Sequence, residues 1–299
     1  MQISIVLPSY NSQAYLPKTL QSFFRQNFSG SFEVIVVDCS PGDAVEQVCK
    51  HYEKVRFHKE PQRFNPGTGR NIGARLAQGE LMVFVDTDVS LDENALQEAW
   101  AYYQQGHQVF GGALELDTEA SADIASYLEH YFFNHESQQG RPVCPRSNLS
   151  SALMLLKREV FLDNGGFSDI PRMQDTEFTE RLIRSGHTLS FCPRVVGRQI
   201  QDAPMSKVLK KILINGRNLY FIRYSQAPKP KKLALFCLLP LITAFKVLRI
   251  IGRHLRYQSA HGRLITLGIS PLLALGGTYW MFGLYQSLLL GGGISAHRD

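Results

Sequence analysis

The sequence predicts an α/β fold organised on a mostly parallel central sheet flanked by helices, and three observations carry that expectation. Short, β-rich apolar runs occur at residues 2–7, 33–37 and 81–85. Helical patterns separate them. Each run ends in polar residues suited to a ligand: Pro8-Ser-Tyr-Asn11, Asp38 and Asp86-Thr-Asp88. Strands alternating with helices pack as a parallel sheet, and such sheets hold ligands beyond the carboxyl ends of their strands. The three strand ends are therefore expected along one crevice.

In chain order, residues 2–7 read as a buried strand that Pro8 breaks. Asn11 or Ser12 is placed to cap a helix whose Tyr15, Leu16, Leu20, Phe23 and Phe24 share a face. After the strand at 33–37, residues 44–52 read as helix and 55–58 as a short strand, followed by a Pro- and Gly-rich loop. Residues 70–78 read as a helix stopped by Gly79, and 81–85 as the strand that delivers the acidic pair. Beyond it, 95–105 reads as helix, 109–116 as strand, 122–133 as helix, 151–156 as strand and 176–185 as helix. Ala227-Pro-Lys-Pro-Lys-Lys232 reads as a linker. The expected regions are an α/β domain at 1–206, a basic interfacial segment at 207–232 and an apolar region at 233–299.

A chain of 299 residues buries one large core with at most a small appendage. Its net charge of +6 is modest, with much of the positive excess beyond residue 207, beside apolar stretches. That placement points to an anionic membrane surface; no nucleic-acid-binding motif is present. The five cysteines are odd in number and form no CxxC pair, which favours free thiols in a reducing compartment. The run before Pro8 is too short for a secretory h-region and no basic segment precedes it, so the α/β domain is expected on the cytosolic side.

The strongest chemical signal is Asp86-Thr-Asp88. Two carboxylates at i and i+2 converge on a hard divalent cation only where the backbone turns after the strand; in a continued strand they lie about 7 Å apart. All-oxygen ligation suits Mg²⁺ or Mn²⁺. A pair of solvated acids in a strand-to-loop turn is the plain alternative. Tyr10 offers a flat ring for stacking, Asp38 an acceptor for ribose or base donors, and Arg70 a planar donor set. A packed aromatic and a helix-start surface cation are the plain alternatives for Tyr10 and Arg70.

Taken in order, Ile3-Ser-Ile-Val-Leu-Pro-Ser-Tyr-Asn11, Glu33-Val-Ile-Val-Val-Asp38, Gly69-Arg-Asn-Ile-Gly-Ala-Arg75 and Gly79-Glu-Leu-Met-Val-Phe-Val-Asp-Thr-Asp88 resemble family 2 glycosyltransferases of the GT-A fold. The resemblance extends over most of residues 1 to about 220. It implies a nucleotide site that includes Pro8, Tyr10, Asn11, Asp38, Arg70 and Asp86, and a metal held by Asp86 and Asp88. Cys39 stands where many relatives carry a second acid. The blocks Ser151–Phe161, Gly165–Asp169 and Gln174–Leu182 resemble the acceptor side of the family, which implies that Asp175 is the general base. Gln174 departs from the usual acid, and Asp175 also fits as a first-turn acid favoured by the helix dipole. Glu177 is the reserve. No histidine occurs at 195–201, where many relatives complete the metal site; Arg198 is a candidate for the diphosphate or a surface cation. Gly111-Gly112 either lets backbone approach the sugar or forms a bulge.

Residues 233–245 are 13 uncharged residues containing Pro240, short for a membrane span and suited to a re-entrant or interfacial helix. Residues 264–290 are 27 uncharged residues, long enough for a tilted span. Basic residues flank the first segment on both sides, so the first segment is expected to dip and return while the second crosses; a two-helix hairpin and a soluble core helix pair are the alternatives. Residues 207–224 are expected on the membrane surface. The expected activity is inverting transfer of a sugar from a nucleotide-diphosphate sugar to a hydroxyl of a membrane lipid or lipid-linked acceptor, at the cytoplasmic side of the cell membrane. A polyprenyl-phosphate acceptor or a silent GT-A scaffold are the alternatives.

Overall fold

A computed structural model describes residues 1–291 and residue 293. The chain divides into two compact units: residues 1–115, 141–170 and 174–200, and residues 116–140, 171–173 and 201–299.

The first unit begins β1 (Ile3–Ser9), α1 (Leu16–Phe24), β2 (Phe32–Asp38), α2 (Ala44–Lys50), β3 (Val55–Lys59), α3 (Pro66–Leu76), β4 (Leu81–Val85), β5 (Val89–Leu91), α4 (Ala95–Gln104) and β6 (Val109–Leu116). After α5 (Ile124–Asn134), which lies in the second unit, come β7 (Cys144–Arg146), β8 (Leu153–Lys157), α6 (Arg158–Asp163), α7 (Gln174–Arg184) and β9 (Leu189–Gln199). The sheet runs β3-β2-β1-β4-β8-β6-β9-β5, with β7 on β9. Its first four strands are parallel, as expected; β8 joins β4 antiparallel and β5 joins β9 antiparallel, so the whole is mixed.

Apolar residues explain the layering. Ile3, Ile5 and Leu7 of β1 pack with Leu16, Leu20 and Phe23 of α1, while Val6 lies in a separate cluster with Ala74 of α3 and Phe84 of β4. Strands covered on both faces read as continuous apolar runs, which is why β1, β2 and β4 were visible in the sequence. Three local expectations change. Pro8 does not break β1: it pairs opposite Val37, and the strand continues to Ser9 opposite Asp38. Neither Asn11 nor Ser12 caps α1 by its side chain; the helix starts after Tyr15 with a proline in its first turn. Helix α3 starts at Pro66, because Asn65 caps it by accepting the Thr68 N–H at 3.0 Å and Pro66 suits the first turn.

The second unit packs α5 with α8 (Met205–Arg223), α9 (Lys229–Tyr257) and α10 (Ala260–Leu290) around Leu128, Phe132, Ile212, Leu239, Leu273 and Leu284. The predicted linker from Lys229 onward and the predicted re-entrant segment lie in one continuous 29-residue helix that passes through Pro240. A proline inside a helix removes one backbone bond and bends the helix without necessarily ending it. Both α9 and α10 are long and apolar enough to cross a membrane, and only 28% and 33% of their most apolar stretches is buried within the chain. Helices α8 and α10 meet through glycine: a Cβ at Gly216 would lie 2.0 Å from the Trp280 carbonyl oxygen, and one at Gly283 would lie 2.0 Å from that of Leu213. Gly283→Ala is therefore expected to destabilise the helical unit by about 1–3 kcal/mol through overpacking, seen as earlier proteolysis at 205–290 on heating; unchanged proteolysis would contradict that packing.

Candidate active site

The acidic pair lies in a turn, the condition for convergent carboxylates. β4 ends at Val85 and β5 begins at Val89, and the Val89 N–H closes the turn on the Asp86 carbonyl at 3.1 Å. The turn is pinned on three sides. Asp86 donates its N–H to Ala152 (3.3 Å), the Asp88 carbonyl accepts from Ile200 N–H (3.0 Å), and the Thr19 hydroxyl donates to the Thr87 carbonyl (2.8 Å).

Arg70 reaches the turn from α3. Its guanidinium is buried, donates to Asp86 Oδ1 and lies 5.7 Å from the centre of the Phe167 ring. The approach of α3 to β1 depends on Gly69 and Gly73, where a Cβ would come within 3.0 Å of Pro8 Cβ and 2.3 Å of Val6 Cγ1.

Asp175, from the second half of the sequence, arrives at the same place on the first turn of α7. Its Oδ1 accepts the Thr176 N–H at 2.7 Å and its Oδ2 the Ser151 N–H at 3.3 Å. Burial raises its carboxyl pKa above the ordinary aspartate value; the two N–H donors and Arg70 oppose the rise, and the charge of Asp86 adds to it. Arg70 and Asp86 thus lie within electrostatic reach of Asp175. The neighbouring Gln174 is buried and donates to the Ile170 carbonyl at 2.7 Å. Glu177, the reserve base, is bound by Ser168 Oγ (2.6 Å) and Arg181 (2.9 Å).

The end of β1 forms a second group. Asp38 is fully buried. Its carboxylate accepts from Ser9 Oγ (2.8 Å), Ser40 Oγ (2.6 Å) and Lys59 Nζ (2.7 Å). In this conformation its carboxylate organises the loop after β2. Ser40 Oγ also accepts the backbone N–H of Asn11, which holds a left-handed φ of 52°. Tyr10 is half-buried, and the exposed Arg63 stacks over its ring at 4.3 Å. Pro8 borders the same loop.

Four contributors escaped the sequence reading. Lys59 and Arg63 are brought in by tertiary structure alone. Ser9 lay inside a quoted motif without a role. Gln199 was overlooked beside Arg198: strand alternation turns Arg198 outward onto Asp92 (2.8 and 3.0 Å) and Gln199 inward, its amide 3.4 Å from both carboxylate oxygens of Asp88. Arg198 thus forms an ion pair with Asp92 in this structure. Gly111 and Gly112 lie within β6, where a Cβ at Gly112 would meet Leu153 and the Val195 carbonyl at 2.5 Å, so they serve close packing in the sheet.

Among the described residues no group of three His, Cys, Asp or Glu side chains gathers to hold a metal. The donor set nevertheless fits one kind of ion. Mg²⁺-like cations bind through one or two carboxylates and take their remaining ligands from water and substrate phosphates, and Asp86 keeps 35% of its side chain exposed.

A mixed sheet with an acidic turn after its fourth strand and a second acid facing that turn is the arrangement of the GT-A glycosyltransferases. The chain belongs to glycosyl transferase family 2, whose model matches residues 4–164. Over 112 residues it is 34% identical to the poly(ribitol-phosphate) β-N-acetylglucosaminyltransferase TarS of Staphylococcus aureus, covering 36% of this chain and only 20% of TarS. It is 23% identical to the glycosyltransferase AglE of Haloferax volcanii over 70% of each chain. Among solved structures, the mannosyltransferase PcManGT of Pyrobaculum calidifontis with GDP-Man and Mn²⁺ superposes with a TM-score of 0.63 at 16% identity, over 97% of this chain and 88% of that one.

Proposed function

We propose that the chain is an inverting glycosyltransferase that moves a sugar from a nucleotide-diphosphate sugar to a hydroxyl of a membrane-associated acceptor, a lipid-linked glycan or glycolipid precursor, at the cytosolic face of the cell membrane. The observation that carries this reading is the meeting of Arg70, Asp86 and Asp175, three groups from different elements, at one end of the sheet. Tyr10 and Asn11, with the loop held by Asp38, are assigned to the nucleoside. Arg70 is assigned to the diphosphate.

In the reaction the acceptor oxygen attacks the anomeric carbon as Asp175 takes its proton. The bond from that carbon to the diphosphate breaks on the opposite side, so the configuration inverts. Arg70 offers donors to the departing diphosphate. A Mg²⁺ or Mn²⁺ held by Asp86 and Asp88 would neutralise charge on that leaving group. A hydroxyl acceptor needs a base, whereas a phosphate acceptor is already ionised; assigning a base to Asp175 favours the hydroxyl. The exposed apolar surfaces of α9 and α10 support an acceptor carried in or on a membrane.

The raised pKa of Asp175 gives a pH test. A base works when deprotonated, so kcat/KM is expected to rise with pH through an acidic limb lying above the ordinary aspartate value of about 3.9, and that limb should vanish in Asp175→Asn. Screening transfer and hydrolysis of common UDP- and GDP-sugars with Mn²⁺ tests the activity itself. One donor class should turn over; none turning over with any divalent cation would refute the enzymatic reading.

A further inference from the structure

One face of α10 is occupied by protein along most of its length. Near its start, Tyr131 of α5 donates its hydroxyl to the Gly262 carbonyl at 3.5 Å. At Gly276 a Cβ would touch Ile212 of α8 and Phe132 of α5, each at 3.3 Å. Further on, Gly283 abuts the Leu213 carbonyl, and the Ser287 hydroxyl donates to the Arg217 carbonyl at 3.1 Å. The helices that cover this face are charged. α8 carries Lys207, Lys210, Lys211, Arg217 and Arg223, and Lys211 reaches across to the buried Glu129 of α5.

A helix that crosses a bilayer needs about 20 residues in the hydrocarbon core. Any such stretch of Ala260–Leu290 includes Gly276. It would therefore carry Ile212 and Phe132 to the same depth, together with Lys211 beside the first and Glu129 one turn before the second. Charges at that depth are costly and rare. Helix α9 meets a different limit. Its uncharged run at 233–245 is 13 residues, about 20 Å of helix against a core of about 30 Å. Lys229, Lys231 and Lys232 precede the run, and Lys246, Arg249 and Arg253 follow it.

Both helices nevertheless turn apolar side chains outward. Leu241, Phe245 and Leu248 of α9 are each more than half exposed, as are Leu264, Leu267, Phe282 and Leu289 of α10. The two surfaces adjoin where the Tyr285 hydroxyl donates to the Phe236 carbonyl at 3.0 Å and the two rings meet at 5.2 Å. Helices held by protein on one side and apolar on the other lie along a membrane interface, with cations at their ends reaching the headgroups. Lysines and arginines at both ends of the apolar run select an anionic surface.

We propose that α9 and α10 bind one leaflet of an anionic bilayer from a single side, their exposed apolar faces sunk among the acyl chains and neither helix crossing. The proposal rests on the membrane reading of the helical unit, is independent of sugar transfer, and differs from the crossing expected of residues 264–290.

The test uses the full chain with Cys144→Ser and Cys237→Ser, which removes the two thiols that are not buried. One substitution is then added, Gln226→Cys, His261→Cys or Gly293→Cys, at exposed positions before α9, at the start of α10 and beyond its end. Plasma-membrane vesicles of a bacterial expression host, inverted so that the cytosolic face is outward, receive a membrane-impermeant maleimide before or after lysis. The chain is expected to stay with the vesicles through a high-salt wash, and all three thiols should react before lysis with no gain after it. A thiol at 261 or 293 that reacts only after lysis would reveal a crossing helix; that overturns the single-leaflet proposal and leaves the membrane reading standing. A chain that stays off the vesicles, including one that covers these faces with a second copy of itself, would overturn both. Leu241→Asp combined with Phe245→Asp alters only surface positions and should release the folded chain from the vesicles. Retention of that variant would overturn the assignment of this face to lipid.

Discussion

Asp175→Asn is expected to lower kcat for transfer to a hydroxyl acceptor by about 10²–10⁴-fold, the usual worth of a positioned general base. KM for the donor should change little, because the proposed role sets Asp175 to work on the acceptor hydroxyl and not on the nucleotide. The fold should tolerate the change. A carboxyl whose pKa is raised in the folded state binds its proton more tightly there than in the unfolded chain. Its stabilising contribution is thus present below the unfolded pKa and lost as pH rises through the folded one. Removing the buried charge favours the folded state, while an asparagine oxygen keeps only one of the two backbone N–H bonds that the carboxylate accepts; the two effects oppose each other, so the melting temperature should change little. A large loss of kcat without loss of stability is the signature of a group kept for chemistry. Near-full activity on a polyprenyl phosphate would instead identify a phosphate acceptor.

Asp88→Ala is the second large effect. Removing one of two carboxylates from a cation that has few other protein ligands should abolish metal-dependent transfer, a fall of about 10²–10³-fold or more in kcat. Asp88 contributes to the local fold through its carbonyl, bonded to Ile200, and that contact survives truncation of the side chain. The variant should therefore remain folded by circular dichroism. Undiminished turnover would remove Asp88 from the site.

How much of this was visible in the sequence depended on whether a feature was local. β4 and its acidic turn were legible because five apolar residues run into Asp86-Thr-Asp88 without interruption. β9 was not, since Pro193, Arg194 and Gly197 interrupt its pattern and its two ends pair with three-residue strands. The start of α3 was hidden in a loop assignment although Asn65-Pro66 is a sound cap-and-first-turn pair. The length of α9 was hidden for a related reason: Pro240 and the end of the uncharged run at Phe245 suggested a short segment, but the helix continues through Lys246 and Arg249.

The candidate site divides in the same way. Asp86, Asp88 and Arg70 belonged to ordered motifs. Lys59 did not, and it meets Asp38 only because the β2–β3 register sets the two side by side. Arg63 reaches Tyr10 from a loop with no periodic pattern. Gln199 was one residue from the position weighed, and strand alternation, once β9 is known, selects it over Arg198.

Calorimetric titration of the full chain with UDP and with GDP, each with and without Mn²⁺, bears most directly on the site. Binding of one nucleotide that requires the metal in the wild type and is lost in Asp88→Ala is the expected result. Nucleotide binding that is indifferent to Mn²⁺, or absent for both nucleotides, would contradict a metal-dependent donor site at Asp86 and Asp88.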